Sequence, residues 1–293
     1  MKTLSISKYV LIFSLFIQAT AFAAETPKTD DKPKGTKTIM LISGAFVTSD
    51  GWGEWKSYLE SKGYIVIVPA WPYKDGTVDG LRAKHKDSIP SEYDLKKIVD
   101  YHAAIIDKLP EKPILIGHSF GGLIVQLLLQ RDKGAAGIAY HSVPAKGVFV
   151  YKYSFLKALS GPLGLFRSED TTFLMSFKQW QYAFTNGMPE AEQRAYYDKL
   201  VVPESRKVIR GALKDMGKID FKKEHAPLLF VSGSTDNIIP ASLNKKNYER
   251  YIKYQPEGSV TEYKEFEGRN HLAMSQPTWQ EDVNYIIAWA SKY

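Results

Sequence analysis

The chain has 293 residues, no cysteine and a formal net charge of +7. Its length fits one large α/β domain with room for an inserted lid, and it is ample to bury a hydrophobic core. Basic residues are interspersed with acidic ones and form no block, which argues against nucleic-acid binding. Without cysteine no disulfide can form, so the stability of the fold must come from its core.

The first residues have the pattern of a signal peptide. Two lysines give a positive start, an apolar stretch covers residues 9–17, and an A-x-A cleavage signal lies at 21–23. The apolar stretch is too short to span a bilayer comfortably. We therefore expect residues 1–23 to be removed and residues 24–37 to form a polar, disordered leader. The protein is expected to be exported to the bacterial periplasm or medium, with no stable membrane anchor after cleavage.

Strand and helix patterns alternate along the rest of the chain. Apolar runs predict strands at 38–42, 64–68, 114–116, 135–140, 227–231 and 260–266. Helical patterns fall at 52–62, 91–109, 123–129 and 277–290. Ser91 is the predicted N-cap of the second of these helices. The alternation predicts an α/β fold, with a mostly parallel central sheet and helices on both faces. The turns after the strands should then share one sheet edge.

Residues 147–205 follow a different pattern. They are dense in Phe, Tyr and Trp, and strand patterns are absent, so short helices are expected. We interpret this segment as a helical cap inserted between the two parts of the core, residues 38–146 and 206–293.

Ser119 is the candidate nucleophile. It lies in Gly117-x-Ser119-x-Gly121, between a predicted strand and a predicted helix. A serine on such a sharp turn needs small residues on either side, because strand and helix approach closely there. Its hydroxyl is then presented at the start of a helix, where the dipole favours developing negative charge. The pentapeptide alone is a weak signal, but the flanking strand and helix strengthen it.

A serine hydroxyl needs a base to remove its proton, and His271 fits that role best. It follows the last predicted strand in a Gly-containing loop, Glu267 to His271, on the sheet edge expected for Ser119. A surface or core role is the simpler interpretation of the other five histidines, which are His85, His102, His118, His141 and His225.

Asp236 is the candidate acid that would orient the base. It follows the predicted strand 227–231 in Ser232 to Pro240. A turn or N-cap aspartate is the alternative interpretation of this residue. The position of Asp236 in the chain favours its interpretation as the catalytic acid, because no Asp or Glu follows the earlier strand at His141 to Gly147.

These motifs resemble those of the α/β-hydrolase superfamily, in its capped esterase and lipase branch. The resemblance covers residues 38–291 and rests on three stretches, Gly117-His118-Ser119-Phe120-Gly121-Gly122, Gly233-Ser234-Thr235-Asp236-Asn237-Ile238-Ile239-Pro240 and Gly268-Arg269-Asn270-His271. It implies the triad Ser119, Asp236 and His271. It also implies that the cap makes much of the substrate contact.

The turn after the first strand departs from the family pattern. Members usually carry His-Gly there, whereas this chain has Ser43-Gly44-Ala45. Oxyanion-hole donors are backbone N–H groups, so those of Ala45 and Phe120 can still serve. Apolar pockets are lined largely by aromatic and aliphatic groups. The aromatic residues predicted to contact the substrate are Phe46, Trp71, Phe177 and Trp180.

The leading hypothesis is therefore an exported serine hydrolase that cleaves carboxylic esters of short-to-medium acyl chains through an acyl-enzyme on Ser119. Its expected partner is a small-molecule ester, with no cofactor or metal, since neither metal-ligand spacing nor a phosphate-binding loop occurs. Serine argues against dehalogenases and epoxide hydrolases, whose nucleophile is aspartate. Cofactor-free haloperoxidases, hydroxynitrile lyases and carbon–carbon bond hydrolases stay open, as does a non-catalytic small-ligand-binding protein. The sequence leaves the oligomeric state open.

Overall fold

The computed structural model describes residues 35–85, 90 and 92–293. The predicted signal peptide, most of the predicted leader and Ser91 lie outside these residues. The helix expected from residue 91 begins at Leu95 instead. Its N-cap is Asp94, whose carboxylate accepts a 2.8 Å hydrogen bond from the Lys97 N–H.

The chain forms eight strands, two of them only two residues long, and ten α-helices within the described residues. The strands are β1 Thr38–Ile42, β2 Ile65–Ile67, β3 Ile114–His118, β4 Ala136–Tyr140, β5 Thr172–Phe173, β6 Glu204–Ser205, β7 Leu228–Gly233 and β8 Thr261–Phe266. The helices are α1 Gly53–Ser61, α2 Val78–Ala83, α3 Leu95–Ile106, α4 Phe120–Gln130, α5 Tyr153–Leu163, α6 Phe177–Ala183, α7 Glu190–Leu200, α8 Arg206–Gly211, α9 Ala241–Tyr254 and α10 Trp279–Ala290. None of these helices combines the length and hydropathy that a membrane crossing requires.

Six strands form one parallel sheet in the order β2-β1-β3-β4-β7-β8. Strands β1, β3, β4 and β7 are buried along their whole length, which explains their continuous apolar sequence. Helices pack around this sheet, with α4 against β3 and β4 and α9 against β7 and β8. The predicted α/β class with a mostly parallel sheet is confirmed. Because the strands are parallel, the turns that follow them meet at one edge.

The segment predicted as a cap contains α5, α6 and α7. It also contains β5, and β5 pairs antiparallel with β6. The expectation that this segment has no strands is wrong in this detail, because two-residue strands are too short to give a period-2 pattern. The boundaries of the cap at 147 and 205 stay predictions.

The C-terminal end of α5 is held by two arginines of α8. Arg206 donates to the carbonyl oxygens of Gly161 (2.6 Å) and Pro162 (2.8 Å), and Arg210 donates to that of Gly164 at 2.5 Å. These bonds satisfy carbonyls that have no partner within the helix. Gly164 has φ +46, and a Cβ there would lie 2.1 Å from the Arg206 guanidinium, so the position requires glycine.

Candidate active site

Ser119 lies on the turn between β3 and α4, in a left-handed conformation with φ 58 and ψ −118. Few residues other than glycine adopt such a backbone, and it persists only where the surroundings impose it. Two close approaches impose it here. A Cβ on Gly117 would lie 2.1 Å from the Gly121 carbonyl oxygen, and one on Gly121 would lie 2.1 Å from that of Ile42. The glycine spacing of the motif is thus a packing requirement of the turn.

The turn after β1 lies directly against Ser119, because β1 and β3 are neighbours in the sheet. A Cβ on Gly44 would lie 2.8 Å from the Ser119 Cβ and 3.3 Å from its Oγ. Among the described residues, the Ala45 N–H has no hydrogen-bond acceptor. The Phe120 N–H opens α4, so the helix itself does not use it. Both N–H groups predicted for the oxyanion hole therefore belong to turns next to Ser119, and neither donates to an acceptor in the described part of the chain.

Asp236 follows β7 and is buried, and its carboxylate accepts four hydrogen bonds. Oδ1 accepts from the N–H groups of Ile238 (3.0 Å) and Ile239 (2.7 Å). Oδ2 accepts from the Nδ1 atoms of His271 (2.7 Å) and His141 (2.8 Å). Burial alone would raise the pKa of Asp236, but the two imidazoles and their hydrogen bonds outweigh it and lower this pKa below its usual range. The carboxylate is ionised and fixed in place.

His271 follows β8, and its donation through Nδ1 leaves Nε2 as the basic nitrogen. This Nε2 atom is buried, with no hydrogen-bond partner in the described part of the chain. The ring is covered edge-on by Phe184, at 4.6 Å between ring centroids. The His271 carbonyl oxygen accepts a 2.7 Å hydrogen bond from Nε2 of His118, the residue that precedes Ser119. This bond connects the loop of His271 to the turn of Ser119.

His141 is a site residue that sequence reasoning missed, since it was interpreted as a surface or core histidine. It follows β4, which lies in the sheet between the strands of Ser119 and Asp236. Its φ is 47, and it shares the Asp236 carboxylate with His271. The strand order was the signal that could have found it, because a polar residue directly after β4 must lie between those two turns.

His118 is the third histidine of this cluster. Burial lowers the pKa of His118 well below its usual range, and the nearby rings of His271 and His141 lower it further. Its ring centroid lies 4.7 Å from that of His271. A neutral His118 adds no positive charge beside the His271 ring.

Hydrogen bonds connect the segment after α6 to the loops that carry Asp236 and His271. Asn186 donates to the Thr235 carbonyl oxygen at 2.9 Å, and its own carbonyl oxygen accepts from the Asn270 side chain at 3.0 Å. The Leu272 N–H donates to the Phe184 carbonyl oxygen at 3.0 Å. The predicted cap thus fixes the positions of the residues on either side of Asp236 and His271.

An apolar cavity of about 620 Å³ opens beside the nucleophile turn. Phe120 follows Ser119 in the chain, and the Val143 N–H donates to the Ser119 carbonyl oxygen at 2.9 Å. Both residues line the cavity, together with Ile239 of the acid loop. Helix α5 contributes four apolar residues to the lining, namely Phe155, Leu156, Leu159 and Leu163. The cavity therefore contacts the nucleophile turn and the acid loop.

The four aromatic residues predicted to contact the substrate do not line this cavity. Trp180 is buried, stacks on Phe184 at 4.6 Å and donates to the Gln193 carbonyl oxygen. Phe177 packs on Tyr197. Phe46 packs edge-on against Phe173, and Trp71 lies under the Lys74 ammonium. Rings of this size serve interior packing here, and helical spacing alone does not distinguish that role from pocket lining.

Among the described residues, one group of three has potential metal-ligating atoms within 4.8 Å of one another, namely His141, Asp236 and His271. Their short Nδ1 to Oδ2 distances identify them as a hydrogen-bonded cluster.

The site as a whole can take a proton at His271 Nε2, hold the resulting imidazolium against an ionised carboxylate, and stabilise an oxyanion at two backbone N–H groups.

The comparisons with known proteins concern the fold and the family of the chain. Solved structures of the same fold include a methylesterase from Arabidopsis, 17% identical, with 87% of this chain and 99% of that one covered at a TM-score of 0.62. A monoacylglycerol lipase from Paleococcus ferrophilus is 22% identical over 88% and 96% of the chains, with a TM-score of 0.62. Tomato methylketone synthase I is 18% identical over 89% and 100%, with a TM-score of 0.65. No curated protein sequence matches significantly. The model of the alpha/beta hydrolase family matches residues 39–283. The chain therefore belongs to the alpha/beta hydrolase family.

Proposed function

We propose that this protein is a serine hydrolase that cleaves carboxylic esters, with Ser119 as nucleophile, His271 as base and Asp236 as its orienting acid. The observation that carries the proposal is the buried His271–Asp236 hydrogen bond of 2.7 Å, on the sheet edge where the strained turn presents Ser119. Only the site supports an activity, because the fold is shared by proteins of many functions.

The reaction divides into two acyl transfers. Ser119 Oγ attacks the ester carbonyl carbon while its proton moves to His271 Nε2, and the carbonyl π electrons move to the oxygen. The N–H groups of Ala45 and Phe120 stabilise this oxyanion. Collapse breaks the bond to the alkoxy group, which leaves as an alcohol with the proton from His271. Water then gives a proton to His271 and attacks the acyl-enzyme, which releases the acid and restores Ser119.

The cavity supports an apolar ester as substrate. Its volume of about 620 Å³ is in the range of small-molecule sites, and its lining is almost wholly hydrophobic. Each buried methylene of an acyl chain adds about 0.8 kcal/mol. We therefore favour short-to-medium acyl chains over acetate. The Paleococcus lipase and the Arabidopsis methylesterase carry ester-cleaving names, which agrees with this class of reaction.

Kinetics on p-nitrophenyl esters from acetate to palmitate test the proposal. We expect kcat/KM to rise by about one order of magnitude per two-carbon step until the cavity is full, and Ser119→Ala to lower kcat/KM by several orders of magnitude without unfolding the chain. A Ser119→Ala variant that keeps more than a tenth of the wild-type kcat/KM would contradict the nucleophile assignment. A flat profile, or a maximum at acetate, would contradict the acyl pocket.

We also infer export, from the signal-peptide pattern at residues 1–23. Cell fractionation with mass spectrometry of the mature N-terminus tests it, since export predicts a chain that begins at Ala24. A full-length cytoplasmic chain would contradict it.

A further inference from the structure

Large exposed hydrophobic side chains are concentrated at the mouth of the cavity. Five of them line it, and we refer to these five as the apolar rim: Phe149, Leu156, Leu165, Phe166 and Leu213. Leu165 is 68% exposed and Phe166 is fully exposed. Two further exposed aromatic residues, Tyr151 and Tyr153, stand beside the rim at the start of α5. Exposed apolar groups gathered in one place mark an interaction site, whereas scattered single ones are ordinary.

Basic side chains predominate along the segment that carries most of the rim. Residues 146–168 include four basic side chains and no acidic one, the basic ones being Lys146, Lys152, Lys157 and Arg167. The acidic groups nearest to the rim along the chain form ion pairs or hydrogen bonds with other side chains. Glu169 is paired with Lys214 at 2.6 Å and Asp215 with Lys146 at 2.7 Å, while Asp170 accepts from a serine. Lys152 and Lys157 lie on the exposed surface of the α5 region, next to the tyrosines.

We propose that the apolar rim docks on an anionic lipid bilayer. Lys152, Lys157 and Arg167 would contact the headgroups. Leu165 and Phe166 would insert among the acyl chains. The strength of interfacial binding increases with the apolar area that is buried and, on an anionic surface, with the number of basic side chains nearby. Tyrosine, with an apolar ring and a polar hydroxyl, suits the boundary between headgroups and acyl chains.

Rigidity of the docking surface supports this assignment. The end of α5 is fixed by Arg206 and Arg210, and Lys246 donates to the Phe149 carbonyl oxygen at 2.8 Å. The rim is therefore presented by an anchored backbone and needs no rearrangement to meet a membrane. Docking would place the cavity mouth against the bilayer, so an apolar ester dissolved there would enter directly. This last step rests on the proposed function, whereas the docking itself does not.

Co-sedimentation of the chain with phosphatidylcholine vesicles, with and without phosphatidylglycerol, tests the proposal in a Ser119→Ala background, where no hydrolysis intervenes. We expect at least tenfold stronger binding to the vesicles that contain phosphatidylglycerol, and weaker binding as salt is added. Phe166→Asp should lower this binding at least tenfold. The matched control is Ile65→Asp, because Ile65 is 62% exposed on the edge strand β2, away from the rim. It should change binding less than twofold.

A charge variant separates docking from catalysis. Lys152→Glu/Lys157→Glu should lower vesicle binding at least tenfold, yet keep kcat/KM on soluble p-nitrophenyl butyrate within twofold of wild type, since neither lysine lines the cavity. No binding to anionic vesicles, or equal losses in Phe166→Asp and Ile65→Asp, would overturn the proposal. So would a dimer, or a complex with another protein, that Phe166→Asp abolishes while vesicle binding is absent. Loss of ester hydrolysis alone, with vesicle binding kept, would count against the proposed function and leave the docking supported.

Discussion

His102 should make the fold sensitive to acid. It is buried on the inner face of α3, where Nδ1 donates to the Ile98 carbonyl oxygen at 2.8 Å and Nε2 has no partner among the described residues. Burial lowers the pKa of His102 from 6.5 to about 4, so the folded protein keeps this ring neutral. The unfolded chain, in contrast, binds the proton near pH 6.5.

The sign and size of the effect follow from this difference. Between pH 6.5 and pH 4 the unfolded state carries one more proton than the folded state, so the free energy of unfolding decreases as the pH falls. Each pH unit in that window costs about 1.4 kcal/mol, which gives roughly 3 kcal/mol for His102 alone. This cost is a large fraction of the free energy of unfolding of a typical domain.

The variant His102→Leu should remove this loss. Its free energy of unfolding should decrease less than that of wild type across the window, by about 3 kcal/mol at the acid end. Some acid sensitivity should persist, because burial also lowers the pKa of His118. The assay is urea unfolding followed by tryptophan fluorescence at a series of pH values. Parallel pH profiles of the two proteins would contradict a neutral His102 in the folded state, since they would mean that the folded protein accepts a proton there.

Two further predictions concern the catalytic groups, and ester kinetics with a thermal-unfolding control check both. His271→Ala should lower kcat/KM by at least a thousandfold and His141→Ala by less than tenfold, because His141 supports the carboxylate without serving as the base; the reverse order would reassign the base. Gly44→Ala should abolish most activity and keep the fold, since its Cβ would lie 2.8 Å from that of Ser119. Gly53→Ala is the matched control, with nothing within 4 Å of its Cβ, and equal activity in the two variants would contradict the close approach at Gly44.

The sheet and the nucleophile turn could be predicted because their signals are local. Apolar runs mark the buried strands, and the glycines around Ser119 are required by backbone atoms only a few residues away or on the neighbouring strand. The positions of Asp236 and His271 followed from the parallel sheet, which brings the ends of distant strands together. Their roles as acid and base stay proposals.

Long-range packing could not be predicted in the same way. His141 reaches Asp236 only because β4 lies between β3 and β7, and strand order does not follow from local patterns. The orientation of the aromatic residues in the predicted cap could not be predicted for a related reason. Trp180 faces Phe184, whereas Phe149 and Phe166 face the cavity, and all three belong to one continuous aromatic-rich segment. Which ring faces which way is decided by contacts with the core.

Covalent labelling tests whether Ser119 is an activated nucleophile. The wild-type chain would be treated with a fluorophosphonate, digested and mapped by mass spectrometry, with Ser119→Ala and His271→Ala treated in parallel. We expect a single adduct on the peptide that contains Ser119, no adduct in Ser119→Ala, and labelling of His271→Ala slowed by several orders of magnitude. An adduct on another residue, or labelling of Ser119 at an unchanged rate without His271, would contradict this expectation.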